Sequence, residues 1–211
     1  AGMTYMENIF ICMASPLLIA ALCMGKRHTG AFLFCFAGMG MCLLSAYLNT
    51  FLAALYGADA FAATVEIAPV VEEGMKLPLL FYLLVFEPQA RQIGIAAVIT
   101  ALSFATFENI CYLIQNGAAH FSFIFFRGIG TGAMHVICGA IVGGGLAYVW
   151  RRTWLKIAGT CGLLGAAITF HAIYNLLIAY GGTAQYIAYL LPVGILAAGK
   201  LIARYLKAAE G

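Results

Sequence analysis

Long apolar runs fill almost the whole of this 211-residue chain and limit what it can fold into. A helix that crosses a bilayer needs about 20 consecutive, mostly apolar residues. Hydrophobic residues make up 64% of the sequence and charged residues 9%, whereas a soluble globular domain has roughly 25% charged residues. The sequence therefore predicts an all-α, polytopic membrane protein.

Seven apolar runs, separated by short polar breaks, have the length of a membrane span. They cover Tyr5–Met24, Ala31–Tyr56, Phe61–Phe86, Arg91–Gln115, Arg127–Val149, Lys156–Tyr180 and Gln185–Tyr205. These runs leave no room for a soluble domain or a long linker. We therefore expect about seven transmembrane helices, with residues 1–211 forming a single transmembrane helical domain.

The basic residues are distributed unevenly between the two ends of the predicted spans. Nine of the 11 fall on one side, namely Lys26, Arg27, Arg91, Arg151, Arg152, Lys156, Lys200, Arg204 and Lys207. Because cytoplasmic loops are enriched in Lys and Arg, we expect an outside N-terminus and a cytoplasmic C-terminus in the cell membrane. Arg127, at the predicted mouth of the fifth span, is expected to reach the outer headgroups. Topology accounts for the net charge of +3, so no nucleic-acid partner is expected, only the lipid bilayer.

Seven ionisable residues lie inside four consecutive predicted spans. They are Glu66, Glu72, Glu73, Lys76, Glu108, His135 and His171. Insertion of a charged residue at the centre of a span costs about 2.5 to 3.5 kcal/mol, so such residues face the bundle interior and mark functional sites. With a rise of 1.5 Å per residue, Glu72, Glu108, His135 and His171 fall roughly 10 to 16 Å below the outer ends of their spans. We expect them to meet in one layer in the outer half of the membrane.

Helical spacing indicates which polar residues share a face. Glu72 and Lys76 stand four residues apart, whereas Glu73 is rotated by about 100° from Glu72. Lys76 can therefore neutralise one carboxylate and leave the other free. Asn109 lies beside Glu108, and Asn175 lies one turn after His171, where these amides could donate to an oxyanion or orient a histidine.

Buried carboxylates and histidines could hydrolyse a peptide bond in two ways. One glutamate could act as a general base towards water, with nearby donors stabilising the oxyanion. Alternatively, histidines and carboxylates could bind Zn²⁺, which activates a bound water. The residue types alone leave both alternatives open.

Four short motifs occur in order on successive predicted spans. EEGMK at 72–76 matches EExxK, FATFEN at 104–109 matches FxxxEN, and MHVICGAIVG at 134–143 and HAIYN at 171–175 complete the set. Together they resemble the PrsW family of intramembrane proteases, within the superfamily that includes the CAAX prenyl proteases. The resemblance covers a protease-like core at about residues 61–180.

The resemblance implies an endopeptidase that cuts membrane proteins near the outer side of the membrane, with anti-sigma factors as the known kind of substrate. It implies catalytic roles for Glu72, Glu73, Glu108, His135, His171 and Asn175, with Lys76 and Asn109 in support. If a metal such as Zn²⁺ is used, the implied ligands are Glu73, Glu108, His135 and His171. Our working hypothesis is that one glutamate of the pair activates water with Glu108 and His135, while His171 and Asn175 stabilise the oxyanion. Glu108 stands where CAAX-type relatives have a histidine.

Three other functions fit part of this pattern. A proton-coupled transporter also needs membrane-buried Glu, His and Lys, but it would be expected to show an inverted repeat, and the sequence shows none. A haem-binding electron carrier could use His135 and His171 as axial ligands, yet it would not need the carboxylates. A non-catalytic scaffold that only binds substrates would not need a complete polar set.

Overall fold

The fold is all-helical, as the sequence predicts. A computed structural model describes residues 5–24, 26–86, 90–117 and 120–209, and these contain no strand. Its helices are α1 (Met6–Cys23), α2 (Lys26–Tyr56), α3 (Ala60–Ala62), α4 (Ala68–Phe86), α5 (Ala90–Asn116), α6 (Phe121–Val149), α7 (Lys156–Tyr180) and α8 (Gly182–Ala209). Apolar runs fold this way because a helix satisfies every backbone polar group within one segment.

Six helices of the described residues are long and apolar enough to cross a membrane. They comprise Met6–Cys23, Thr29–Tyr56, Gln92–Asn116, Phe121–Val149, Thr153–Tyr180 and Gly182–Leu206. The chain is therefore a multi-pass membrane protein. The helix α4 has the length of a span, but Glu72, Glu73 and Lys76 place three charges within five positions. A seventh crossing by α4 and the orientation of the termini stay predictions.

The charged helix α4 lies against four other helices. It packs against α2, α5, α6 and α7. The neighbouring helices α5 and α6 approach closely because Gly139 and Gly143 of α6 lie directly against Ala97 and Ala101 of α5. Small residues permit such close packing between membrane helices, and here the packing brings Glu108 of α5 next to α6.

A π-helical turn at Ala63–Ile67 joins α3 to α4, and Pro69 explains its position. Proline has no N–H to donate, and its ring clashes with the carbonyl four residues earlier in a regular α-helix. The Ala68 N–H bonds to the carbonyl of Ala63, five residues back, so neither Ala68 nor Pro69 supplies a donor to the carbonyl of Thr64. That carbonyl accepts instead from the side-chain amide of Asn175, at 3.0 Å. The turn is thereby tied to α7.

The start of α6 differs from the start of the predicted span. That helix begins at Phe121, so the predicted start at Arg127 is wrong. The preceding residues FSFIFF are apolar and continue the helix towards the N-terminus. As a result, Arg127 lies well inside α6 rather than at its mouth.

Candidate active site

Four helices bring the predicted charged layer together. Glu72, Glu73 and Lys76 come from α4, Glu108 from α5, His135 from α6 and His171 from α7. Glu73, Lys76, His135 and His171 are almost completely buried. Direct contacts join Glu72, Glu108, His135 and His171, which the sequence predicted to meet, and their depth in the membrane stays a prediction.

Glu73 is the carboxylate that Lys76 neutralises. Its Oε1 atom lies 2.8 Å from Lys76 Nζ, three residues along the same helix, and 2.9 Å from His171 Nδ1. Lys76 Nζ also lies 2.9 Å from His135 Nδ1 and sits over the Phe104 ring. A buried carboxylate needs such partners to offset its desolvation. Glu73 therefore anchors both Lys76 and His171.

Among the described residues, no Lys or Arg forms an ion pair with Glu72. Its Oε1 accepts a long hydrogen bond of 3.4 Å from Asn49 Nδ2. Its Oε2 is buried and has no hydrogen-bond partner in the part of the chain that the structure describes. That oxygen lies 3.8 Å from His171 Nε2 and 4.0 Å from His135 Nε2. A buried polar atom without a partner is costly, so this geometry is typical of a site that takes a ligand.

The group Glu72, His135 and His171 has the donors and spacing of a metal site. One ligand atom from each residue lies within 4.8 Å of those of the other two, and two histidines with one glutamate form a known catalytic zinc set. The contact of His171 Nδ1 with Glu73 leaves Nε2 directed towards Glu72. Metal-binding histidines have such a carboxylate behind them. The residues present therefore fit a zinc ion, for which His135 Nε2 would exchange its 2.9 Å contact with Glu108 Oε2.

This metal group differs from the predicted ligand set of Glu73, Glu108, His135 and His171. The structure places Glu72 between the two histidines, whereas the Oε1 of Glu73 already contacts Lys76 and His171. The sequence alone could not separate the adjacent glutamates, because both lie within reach of Lys76 and the rotation of α4 about its axis is set by packing against other helices.

Glu108 lies on the more exposed side of the cluster. Its Oε2 is 2.9 Å from His135 Nε2, and its Oε1 accepts a hydrogen bond of 3.2 Å from Arg127 Nη2. The Arg127 guanidinium stacks on the Tyr112 ring at 3.6 Å from its centroid. Since the Arg127 side chain is only 12% exposed, the expectation that it reaches the outer headgroups is wrong. It follows α6 inward and pairs with Glu108.

The two predicted amides lie at the edge of the site. Asn175 lines a cavity beside His171, but its Nδ2 donates to the Thr64 carbonyl. Asn109 Oδ1 is buried and has no hydrogen-bond partner among the described residues. Glu66 is exposed in the π-helical turn. An oxyanion role for either amide stays a prediction.

Two sizeable cavities of the described residues adjoin the cluster. The larger, of about 850 Å³, is lined in part by Glu72, Glu108 and His171. The smaller, of about 230 Å³, also reaches Glu72 and Glu108. Glu72 and Glu108 therefore face open space in which a substrate and water could be held.

Asn49 and Arg127 were not among the predicted site residues. Asn49 of α2 lies roughly 10 Å below Tyr56, the predicted outer end of its span, at 1.5 Å per residue. This depth is the same as that of Glu108, so the depth argument would have found Asn49 if it had included amides. Arg127 was missed because the predicted span began too late.

A comparison with protein families identifies the family to which this chain belongs. The profile described as "PrsW family intramembrane metalloprotease" matches residues 26–198, a stretch that includes every residue of the cluster and most of the chain. The chain belongs to the PrsW family. No curated protein and no solved structure matches the chain. Membership of the PrsW family makes the protein an intramembrane peptide hydrolase and confirms the resemblance seen in the four motifs.

Membership of the PrsW family also bears on the alternative functions. A Glu, His and His group beside a cavity fits the metalloprotease description of the family. The PrsW match therefore favours a protease over a proton-coupled transporter, a haem carrier or a substrate-binding scaffold.

Proposed function

We propose that the protein is an endopeptidase that cuts membrane-protein substrates of the anti-sigma-factor kind in the outer half of the cell membrane. Glu72, His135 and His171 form its hydrolytic centre. The single observation that supports this most strongly is the buried, unpartnered Oε2 of Glu72, which faces the Nε2 atoms of both histidines.

In this proposal the same three residues hold a zinc ion. When bound, zinc acts as a Lewis acid that lowers the proton affinity of water and polarises a peptide carbonyl. The protein contributes a rigid set of ligands, because His171 is held through Nδ1 by Glu73 and Glu72 is held through Oε1 by Asn49.

Glu108 is proposed as the general base. It lies on the cavity side of His135, its side chain is 30% exposed, and it lines both cavities. It is thus the carboxylate of the cluster that water can reach most easily. Arg127 holds Oε1, and Oε2, which contacts His135 Nε2 at 2.9 Å, would accept a proton from the attacking water once that nitrogen binds the ion. Glutamates take this role in many hydrolases.

Lys76 has a supporting role in the proposal. Its ammonium group neutralises Glu73, so the cluster does not accumulate unbalanced negative charge in the membrane. Lys76 is almost fully buried, with its ammonium group against the Phe104 ring, so it has no path to the substrate. Its contribution is to keep Glu73 ionised and in place behind His171.

Cleavage of a panel of single-span membrane proteins by the purified protein in detergent tests this function. We expect Glu108→Gln to lower cleavage by at least about 100-fold, as loss of a general base does, and Glu72→Gln to lower it as strongly because it removes a zinc ligand. The matched control is Glu66→Gln, which makes the same change at an exposed glutamate in the π-helical turn before α4 and should retain full activity. Unchanged cleavage in Glu72→Gln would contradict the assigned centre.

A further inference from the structure

We propose that Lys76 restrains metal binding at this site, because it holds the His135 ring in the tautomer whose Nε2 atom cannot bind an ion. Zinc binding then requires His135 to exchange Lys76 for Glu73 behind its ring. This inference rests on the zinc centre of the proposed function. It gives Lys76 a positioning role in addition to the neutralisation of Glu73.

Both nitrogens of the His135 ring have a close partner. Nδ1 lies 2.9 Å from Lys76 Nζ, and Nε2 lies 2.9 Å from Glu108 Oε2. The ring is fully buried, and its centroid lies 5.0 Å from that of Phe104 and 5.0 Å from that of His171. A flipped ring would place carbon atoms against both partners, so these contacts fix its orientation.

The chemistry of the two partners determines where the His135 proton lies. Lys76 forms an ion pair with Glu73 at 2.8 Å, so its nitrogen is an ammonium group. An ammonium group donates hydrogen bonds and accepts none, whereas a neutral imidazole has one donor and one acceptor nitrogen. Nδ1 therefore accepts from Lys76, and Nε2 carries the proton that it donates to the Glu108 carboxylate. A protonated nitrogen has no lone pair for a metal ion, so this tautomer cannot bind zinc through Nε2.

His171 has the opposite arrangement. Its Nδ1 lies 2.9 Å from Glu73 Oε1. Since an ionised carboxylate only accepts, Nδ1 carries the proton and Nε2 has a free lone pair. A carboxylate behind the ring is the usual arrangement of a metal-binding histidine. Of the two histidines that face Glu72, His171 is therefore ready to bind zinc and His135 is not.

Glu73 can replace Lys76 behind the His135 ring. Its Oε1 lies 3.6 Å from His135 Nδ1, slightly beyond hydrogen-bond distance. Before Nε2 can bind an ion, one proton must leave Nε2 for water and one proton from water must reach Nδ1, so the ring stays neutral. Nδ1–H then donates to Glu73. The Lys76 ammonium group has to turn away, because two donors cannot bond to each other.

The charge of Lys76 acts in the same direction as its hydrogen bond. The ammonium group lies directly behind a proposed zinc ligand, and like charges repel more strongly in a buried site than in water. Removal of the Lys76 amine should therefore strengthen zinc binding. A lysine that only holds the site together would have the opposite effect, because its removal would loosen Glu73 and both histidines.

The zinc affinity of Lys76→Met separates these two roles. The wild type and the variant are titrated with Zn²⁺ in detergent against a competing chelating dye. We expect Lys76→Met to bind zinc at least about 10-fold more tightly, the smallest effect typical of a partner behind a metal-binding histidine. Lys200→Met makes the same change at an exposed lysine of α8 and should keep the affinity of the wild type. Equal or weaker zinc binding by a folded Lys76→Met protein would overturn the inference.

The histidine tautomers provide a second test that needs no change at Lys76. The chain has four histidines, and replacing His28 and His120 by Gln leaves His135 and His171 for NMR of the ring nitrogens. In the metal-free protein we expect one ring with its proton on Nε2 and one with its proton on Nδ1. After one equivalent of Zn²⁺ is added, both rings should carry the proton on Nδ1. Two rings with protons on Nδ1 before zinc is added would overturn the inference, even if Lys76→Met fails to fold.

The outcomes separate the inference from the proposed function. If neither the wild type nor Lys76→Met binds zinc, the zinc centre of the proposed function fails and the inference fails with it. If the wild type binds zinc and Glu72→Gln does not, yet either measurement contradicts the expected result, the centre stands and the restraint by Lys76 is refuted. Tighter zinc binding by Lys76→Met, together with opposite tautomers in the metal-free protein, supports the restraint.

Discussion

At the residue scale, the adjacent glutamates of the EEGMK motif have different surroundings. Glu73 contacts Lys76 and His171, whereas Glu72 has an oxygen with no hydrogen bond. The sequence was sufficient to predict that one carboxylate would be neutralised and the other left free. It could not show which one, because both positions lie within reach of Lys76 on a helix.

Because of this difference, we expect Glu73→Gln to lower mainly stability and Glu72→Gln to lower mainly activity. Glu73→Gln should lower the free energy of unfolding by about 3 to 5 kcal/mol, because it leaves Lys76 buried without its anion. Glu72→Gln should abolish cleavage and change stability little, since it removes a charge that pairs with no Lys or Arg in the described part of the chain. Thermal unfolding of both variants in detergent measures this difference. A Glu73→Gln protein as stable as the wild type would contradict the assignment of Lys76 to Glu73.

Asn49 is predicted to act as a positioning residue for Glu72. In Asn49→Ala, the loss of the hydrogen bond to Oε1 should weaken zinc affinity by about 10- to 100-fold, as removal of a group behind a metal ligand does. Zinc affinity is measured by competition with a chelating dye. The control is Asn8→Ala, an amide exposed on α1. Equal zinc affinity in Asn49→Ala and the wild type would show that Asn49 does not orient Glu72.

At the scale of elements, close contacts between helices hold the site. The length of the apolar runs predicted the long helices, although the run at 61–86 is divided among α3, a π-helical turn and α4. The π-helical turn before α4 was not predicted, although Pro69 provided a signal for it. Its hydrogen bond from Asn175 depends on the packing of α7, which local sequence does not encode.

Gly38 of α2 is predicted to be essential for the contact with α5. A Cβ atom there would collide with the Thr100 carbonyl and the Ser103 hydroxyl, whereas a Cβ at Gly40 would meet only ordinary contacts with Phe10. Gly38→Ala should therefore cost about 1 to 3 kcal/mol from overpacking. Gly40→Ala makes the same change on the same helix and should be neutral or slightly stabilising, because alanine favours the helix. Equal melting temperatures of the two variants would contradict this packing.

At the scale of the whole molecule, the polar cluster determines the expected topology. Helix α4 contains too many charged residues to be recognised as a span from its composition. It nevertheless packs against α2, α5, α6 and α7. We predict that it crosses the membrane as a seventh span, because the four surrounding helices and the paired charges offset its polarity.

Reporter fusions at the two termini test the seventh span. With seven crossings, the N-terminus lies outside and the C-terminus in the cytoplasm, so a reporter active only outside the cell should function at the N-terminus alone. With six crossings, the two termini would lie on the same side. Equal reporter activity at both ends would therefore contradict the crossing by α4.

The most direct test of the central claim is cleavage by the wild-type protein after removal and return of zinc. We expect a chelator to abolish cleavage of a single-span substrate and one equivalent of Zn²⁺ to restore it, because Glu72, His135 and His171 fit one ion. Full cleavage by a protein shown to contain no metal would contradict the zinc centre and return Glu72 to the role of a metal-free base.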